Sequence, residues 1–188
     1  MKIAALLAPL FALLAWATPA FAQSSEQSSP ADKQRFVAIE RRLEAAPLDK
    51  TLEQDRSWAI RWLTDAPDVT VNVCLEPLNG VSDKTYPRTA EIVIQYSLAM
   101  AAFIIENPGK AEDVDAQQLA GVEGALNAYK AMRVARPDEK SPELDKLLAM
   151  QSGGQLTDFV QKAFHRCMAK QIGLREPRPA GTVAIRSI

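Results

Sequence analysis

Histidine occurs once and cysteine twice in 188 residues, and those scarcities exclude most metal chemistry. A metal centre needs several His, Cys or carboxylate ligands converging on one point. The acidic run Glu112-Asp113-Val114-Asp115 lacks the later ligands of a calcium loop. No metal site and no cofactor is expected. The chain has neither a Gly-x-Ser-x-Gly elbow nor a Ser-x-x-Lys helix start, and Ser152-Gly153-Gly154 reads as the end of a helix. Gly121-Val122-Glu123-Gly124 is not followed by the Lys and Ser/Thr of a phosphate loop. An excess of positive charge is also missing: 22 basic residues face 23 acidic ones, so there is no electrostatic footprint for nucleic acid.

What is present begins at the N-terminus. Lys2 precedes an apolar run from Ile3 to Trp16, and Ala20-Phe21-Ala22 follows Pro19. That order is a charged region, a hydrophobic region and an A-x-A site for signal peptidase, so residues 1–22 are expected to be a signal peptide cut between Ala22 and Gln23. The competing reading is an uncleaved anchor, because Ile3 to Ala22 is about long enough to cross a bilayer. Either way the domain is expected outside the cytoplasm, periplasmic or secreted. Beyond residue 22 the longest apolar stretch, Ile92 to Ile105, is interrupted by Gln95 and is short for a bilayer, so no further span is expected.

In an oxidising compartment the two cysteines, Cys74 and Cys167, are expected to form one disulfide. It ties the middle of the chain to its last helix. Thiol catalysis by Cys167 needs a base, and His165 lies two residues away, on a different side of a helix.

Gln23 to Pro30 is Ser- and Gln-rich without an apolar residue, so residues 23–31 are expected to be a disordered leader. Residues 32–172 then read as one all-α domain, a bundle of five to seven helices. Phe36, Ile39 and Leu43 recur at helical spacing until Pro47; Thr51 to Gln54 fits a capping box for a second helix that stops at Ala66-Pro67. Residues 88–106 are apolar nearly all round, which marks the buried central helix. Asp113 or Asp115 caps the next, whose Gly121 and Gly124 mark close approach by a neighbour. Ser141-Pro142 starts a fifth helix, and a sixth runs from about Gln155 to Lys170 with Cys167 facing the core. Asp68 to Cys74 alternates like a strand without a partner. It either pairs with Thr182 to Ile185 or is drawn into a helix by its surroundings, and the helix is favoured. Residues 173–188 are expected to be a flexible tail, whose alternation from Thr182 onward also suits strand addition to a partner.

Paired carboxylates are the one enzymatic route the residue inventory leaves open. Trp58 and Trp62 share a helix face with Asp55 and Asp65 a turn before and after, a stripe that can stack sugars between two acids. Tryptophans at helical spacing are more commonly core anchors. The segments Arg56 to Leu63, Ala101 to Pro108 and Ala120 to Leu126 resemble exported bacterial helical proteins without an assigned activity, a likeness spanning roughly Asp49 to Phe159. It implies export and helicity and carries no site residue. The leading expectation is therefore a non-catalytic module that binds another envelope protein. An envelope glycan-binding or glycan-cleaving protein and a periplasmic toxin inhibitor are the alternatives.

Overall fold

A computed structural model describes residues 27–81, 86–171 and 173. Among them all regular structure is helical: α1 (Pro30–Ala45), α2 (Glu53–Asp65), α3 (Thr89–Glu106), α4 (Val114–Ala135), α5 (Pro142–Ser152) and α6 (Leu156–Gln171), with 3-10 turns at Lys50–Leu52, Glu76–Leu78 and Pro108–Lys110. Three of the six starts are capped by a short polar side chain. Ser29 Oγ accepts from the Asp32 amide and Pro30 occupies the first turn of α1, Asp113 Oδ1 accepts from the Ala116 amide at α4, and Ser141 Oγ accepts from the Leu144 amide at α5.

Two starts differ from the sequence expectation. α1 begins at Pro30, two residues before the expected domain start at 32, and the Ser28 amide already bonds Asp68 Oδ1 at 3.2 Å. Before α2, Asp49 takes the capping role expected of Thr51, accepting from both the amide and the hydroxyl of Thr51 at 2.8 Å. The resulting 3-10 turn feeds straight into α2.

α3 is the central helix because it faces two apolar clusters. Ile92, Tyr96 and Met100 join α4, α5 and α6 residues such as Tyr129, Leu147 and Val160, while Leu98, Ala101 and Ala102 join Phe36, Ile39 and Leu43 of α1. Its length and composition also suit a membrane span, and here α1, α2 and α4 pack around it. The expected seam lies between α3 and α4. A Cβ on Gly121 would stand 2.7 Å from Met100 Cγ and 2.8 Å from Tyr96 Cδ2, and one on Gly124 would strike the Ala99 methyl. α5 ends in Gly153-Gly154, with Gly154 in the left-handed region at φ 71°, where a side chain would be strained.

Cys74 and Cys167 form the expected disulfide, with Cα atoms 6.5 Å apart. Cys74 is buried, whereas Cys167 is half-buried at the edge of α6 rather than in the core. Lys170 Nζ adds a 2.7 Å contact to Glu76 Oε1, so the end of α6 is fastened beside residues 74–76. Residues 69–74 are neither strand nor helix, which corrects the favoured helix. Among the described residues no backbone partner pairs with them, and β-branched Val69, Thr70, Val71 and Val73 resist a helix. The tail, including Thr182 to Ile185, lies outside the described residues except for Gly173.

Candidate functional site

Trp58 and Trp62 stack on the face of α2 that meets α1, with ring centroids 6.1 Å apart and planes 18° from parallel. Both are half-buried. Trp62 packs against Phe36 at 4.8 Å, and the Arg35 guanidinium sits 3.9 Å above the Trp58 ring. That cation occupies the kind of ring face a sugar would stack upon. Asp55 belongs to the same junction, where its Oδ2 accepts from Arg42 Nη1 at 2.7 Å. Asp65 stands apart, exposed at the C-terminal end of α2. Three of the four stripe residues are thus engaged with α1. His165 is exposed at the surface, its Nε2 3.0 Å from Asp115 Oδ1. Among the described residues no cluster of three or more His, Cys, Asp or Glu side chains is arranged to hold a metal.

A different surface is apolar and concave. An apolar groove of about 340 Å³ lies between α2, α3 and residues 71–73, lined by Ile60, Leu63, Val71, Val73, Val93 and Ile94. Ile60 is 38% exposed and Val73 45%. Among the described residues, the segment that walls it is held from one side only. Gln118 Nε2 donates to the Asn72 carbonyl at 2.7 Å, and Tyr96 Oη lies 2.9 Å from the Cys74 carbonyl while also bonding Gln118 Oε1. Residues 69–74 lie outside any helix, and in an extended chain carbonyls two residues apart turn the same way. In such a chain the N–H and C=O of the residues on either side of Asn72, Val71 and Val73, turn the other way. Among the described residues nothing pairs with them.

No family model, curated protein or solved structure matches the chain.

Two other hollows lie at the end of the bundle. One of about 540 Å³ is lined by Ala45, Ala46, Leu48 and Ala131, and the adjoining one, about 390 Å³, holds Arg56, Arg88 and Arg136. The Arg56 fork donates to Glu53 and to the Pro47 carbonyl, each at 2.6 Å. Arg88 grips Glu139 at 2.7 and 3.1 Å. With two of its three arginines occupied, this hollow is not an open anion cradle.

The sequence reading missed a buried acid. Glu40 is 0% exposed at the α1–α3 contact; its Oε1 accepts from Gln95 Nε2 at 2.7 Å, whereas among the described residues Oε2 has no hydrogen-bond donor. Arg41 Nη1 is 3.5 Å from that oxygen, while the other arm of the guanidinium, Nη2, donates to Glu106 Oε2 at 2.7 Å. Burial pushes the Glu40 carboxyl from 4.5 up to about 7; Arg41 opposes the rise, while Glu44 and Glu106 add to it. A proton on Oε2 makes it a donor to Glu44, whose Oε1 also accepts from Asn127 Nδ2 at 3.1 Å. The signal was available: Glu40 is four residues after Phe36 and three before Leu43, inside the apolar stripe. It borders none of the three hollows, so it reads as a pH-sensitive brace between helices rather than an acid facing a substrate.

Proposed function

We propose that the chain is a non-catalytic binding module of the periplasm or cell exterior that takes an extended apolar segment of another protein along residues 69–73. The observation that carries this reading is the Val71–Val73 edge, unpaired among the described residues, beside a groove lined by Ile60, Leu63, Val93 and Ile94. Strand addition of this kind draws affinity from main-chain hydrogen bonds and specificity from alternate side chains entering a pocket. An extended guest on that edge sends every second side chain toward the groove. Export accounts for the disulfide, and the Ala20-Phe21-Ala22 site supplies the route, with cleavage after Ala22.

The test uses fluorescein-labelled eight-residue peptides alternating valine with threonine, set against scrambles that break the alternation, in fluorescence polarisation with the oxidised protein. Alternating peptides should bind at least about tenfold better than the scrambles, and Ile60→Lys or Val73→Lys should remove the difference. Both positions are exposed, so these lysines leave the core intact. Equal binding of the scrambles, or binding indifferent to both lysines, refutes the reading. Mass spectrometry of protein recovered from a bacterial periplasm checks the export arm, with Gln23 as the expected first residue.

A further inference from the structure

We propose that the chain carries its own competitor for this groove: residues 182–188, Thr-Val-Ala-Ile-Arg-Ser-Ile, lie along the Val71–Val73 edge until a partner strand displaces them. The inference rests on the groove reading above and adds the regulation of that site.

Three observations lead to it. The first is where the described chain leaves α6. Cys167 is bonded to Cys74, Lys170 Nζ is 2.7 Å from Glu76 Oε1, and Arg166 Nε is 3.9 Å from Glu76 Oε2. The chain therefore departs beside the end of the open-edged segment. The second is reach. Eight residues, 174–181, separate Gly173 from Thr182, and at about 3.3 Å per residue they span up to roughly 30 Å. The open edge from Val69 to Val73 measures about 13 Å by the same rise. The third is pattern. Val183 and Ile185 fall two apart, on one face of an extended chain, as the guest of an apolar groove must. Leu174 to Gly181 holds two prolines and a terminal glycine, which suit a connector better than a strand.

Tethering decides the magnitude. A short linker presents its ligand at an effective concentration near the millimolar range, so even a weak strand competes against dilute partners. Replacing Val183 and Ile185 by aspartate withdraws the competitor without touching the described domain.

The experiment compares the unaltered chain with V183D/I185D, both through Ile188 and both oxidised, using the same alternating peptides and an acetylated Gly181–Ile188 peptide. The double variant is expected to bind both at least about tenfold more tightly than the unaltered chain does. In NMR hydrogen exchange the Val71 and Val73 amides should be slowed in the unaltered chain and released in the double variant. Equal peptide affinities of the two proteins, with equal amide exchange, overturn self-occupancy and leave the groove reading standing. Absence of peptide binding to either protein, together with amides equally fast in both, overturns both readings. Sedimentation should show monomers; a dimer that the double variant dissolves assigns the groove to the tail of a second copy and overturns the intramolecular form.

Discussion

Replacing Glu40 by glutamine should stabilise the protein at alkaline pH and leave it nearly unchanged near pH 4.5. The carboxyl is fully buried and held at about 7, against 4.5 for the free side chain. Between those values the folded state binds a proton that the unfolded chain has already released, so stability falls as pH rises through that window and levels off above it. At about 1.4 kcal/mol per pH unit, the full loss is about 3 kcal/mol. Glutamine reproduces the protonated form: its Oε1 accepts from Gln95 Nε2 as the carboxyl does, and its amide can donate toward Glu44. Urea unfolding of the oxidised wild type and E40Q at pH 4.5 and 8.5 reads the difference directly. The other carboxylates cancel in that subtraction. With a slope of about 2 kcal/mol per molar urea, E40Q should shift the alkaline midpoint upward by roughly 1 to 1.5 M. The reasoning fails if E40Q loses several kcal/mol at pH 8.5, for that is the signature of an ionised Glu40 paired with Arg41, whose removal strands a buried charge.

Serine at both Cys74 and Cys167 removes a crosslink spanning 93 residues and should cost up to roughly 4 to 5 kcal/mol, read as a lower urea midpoint; an unchanged midpoint contradicts the loop-entropy argument. Gly124→Ala should destabilise by about 1 to 3 kcal/mol despite alanine's better helix propensity, because the new methyl meets Ala99, while Gly109→Ala, with open space around it, serves as the near-neutral control. Stabilisation by the first substitution removes the close seam. Arg35→Ala should cost about 0.5 to 1 kcal/mol and increase acrylamide quenching of tryptophan emission as the Trp58 face is uncovered. Quenching that is unchanged means the guanidinium does not screen the ring.

The helices were legible because their ends carry local chemistry. Ser141-Pro142 and Asp113 act within one turn of where they stand, so neighbouring residues suffice to identify them. The glycine seam was legible for a related reason: a residue that costs helix stability persists where a larger one will not fit. Residues 69–74 were not, because their conformation is decided from afar. Gln118 and Tyr96 hold two carbonyls, Cys167 holds the end, and all three lie at least twenty residues away in the chain. Local pattern suggested a strand and helical context suggested a helix; neither could register side-chain donors replacing a ladder. The stripe on α2 shows the same limit. Spacing correctly put Trp58 and Trp62 on one face, but only the placement of α1 shows that Arg35 and Phe36 already lie against them.

An extended segment with an open edge invites pairing with any strand it meets, and proteins usually cover or charge such edges. This one is neither charged nor covered among the described residues, and its β-branched side chains favour the very conformation that makes it adhesive. Its inner carbonyls are held by buried donors and its end is locked by the disulfide, so little ordering is left for a guest to induce. The same disulfide fixes where the chain leaves α6. Reduction would then loosen two things together, the edge that receives a strand and the point from which the tail reaches it. On the proposed reading, receptor and tether share one covalent bond, so reduction should weaken strand binding and stability together.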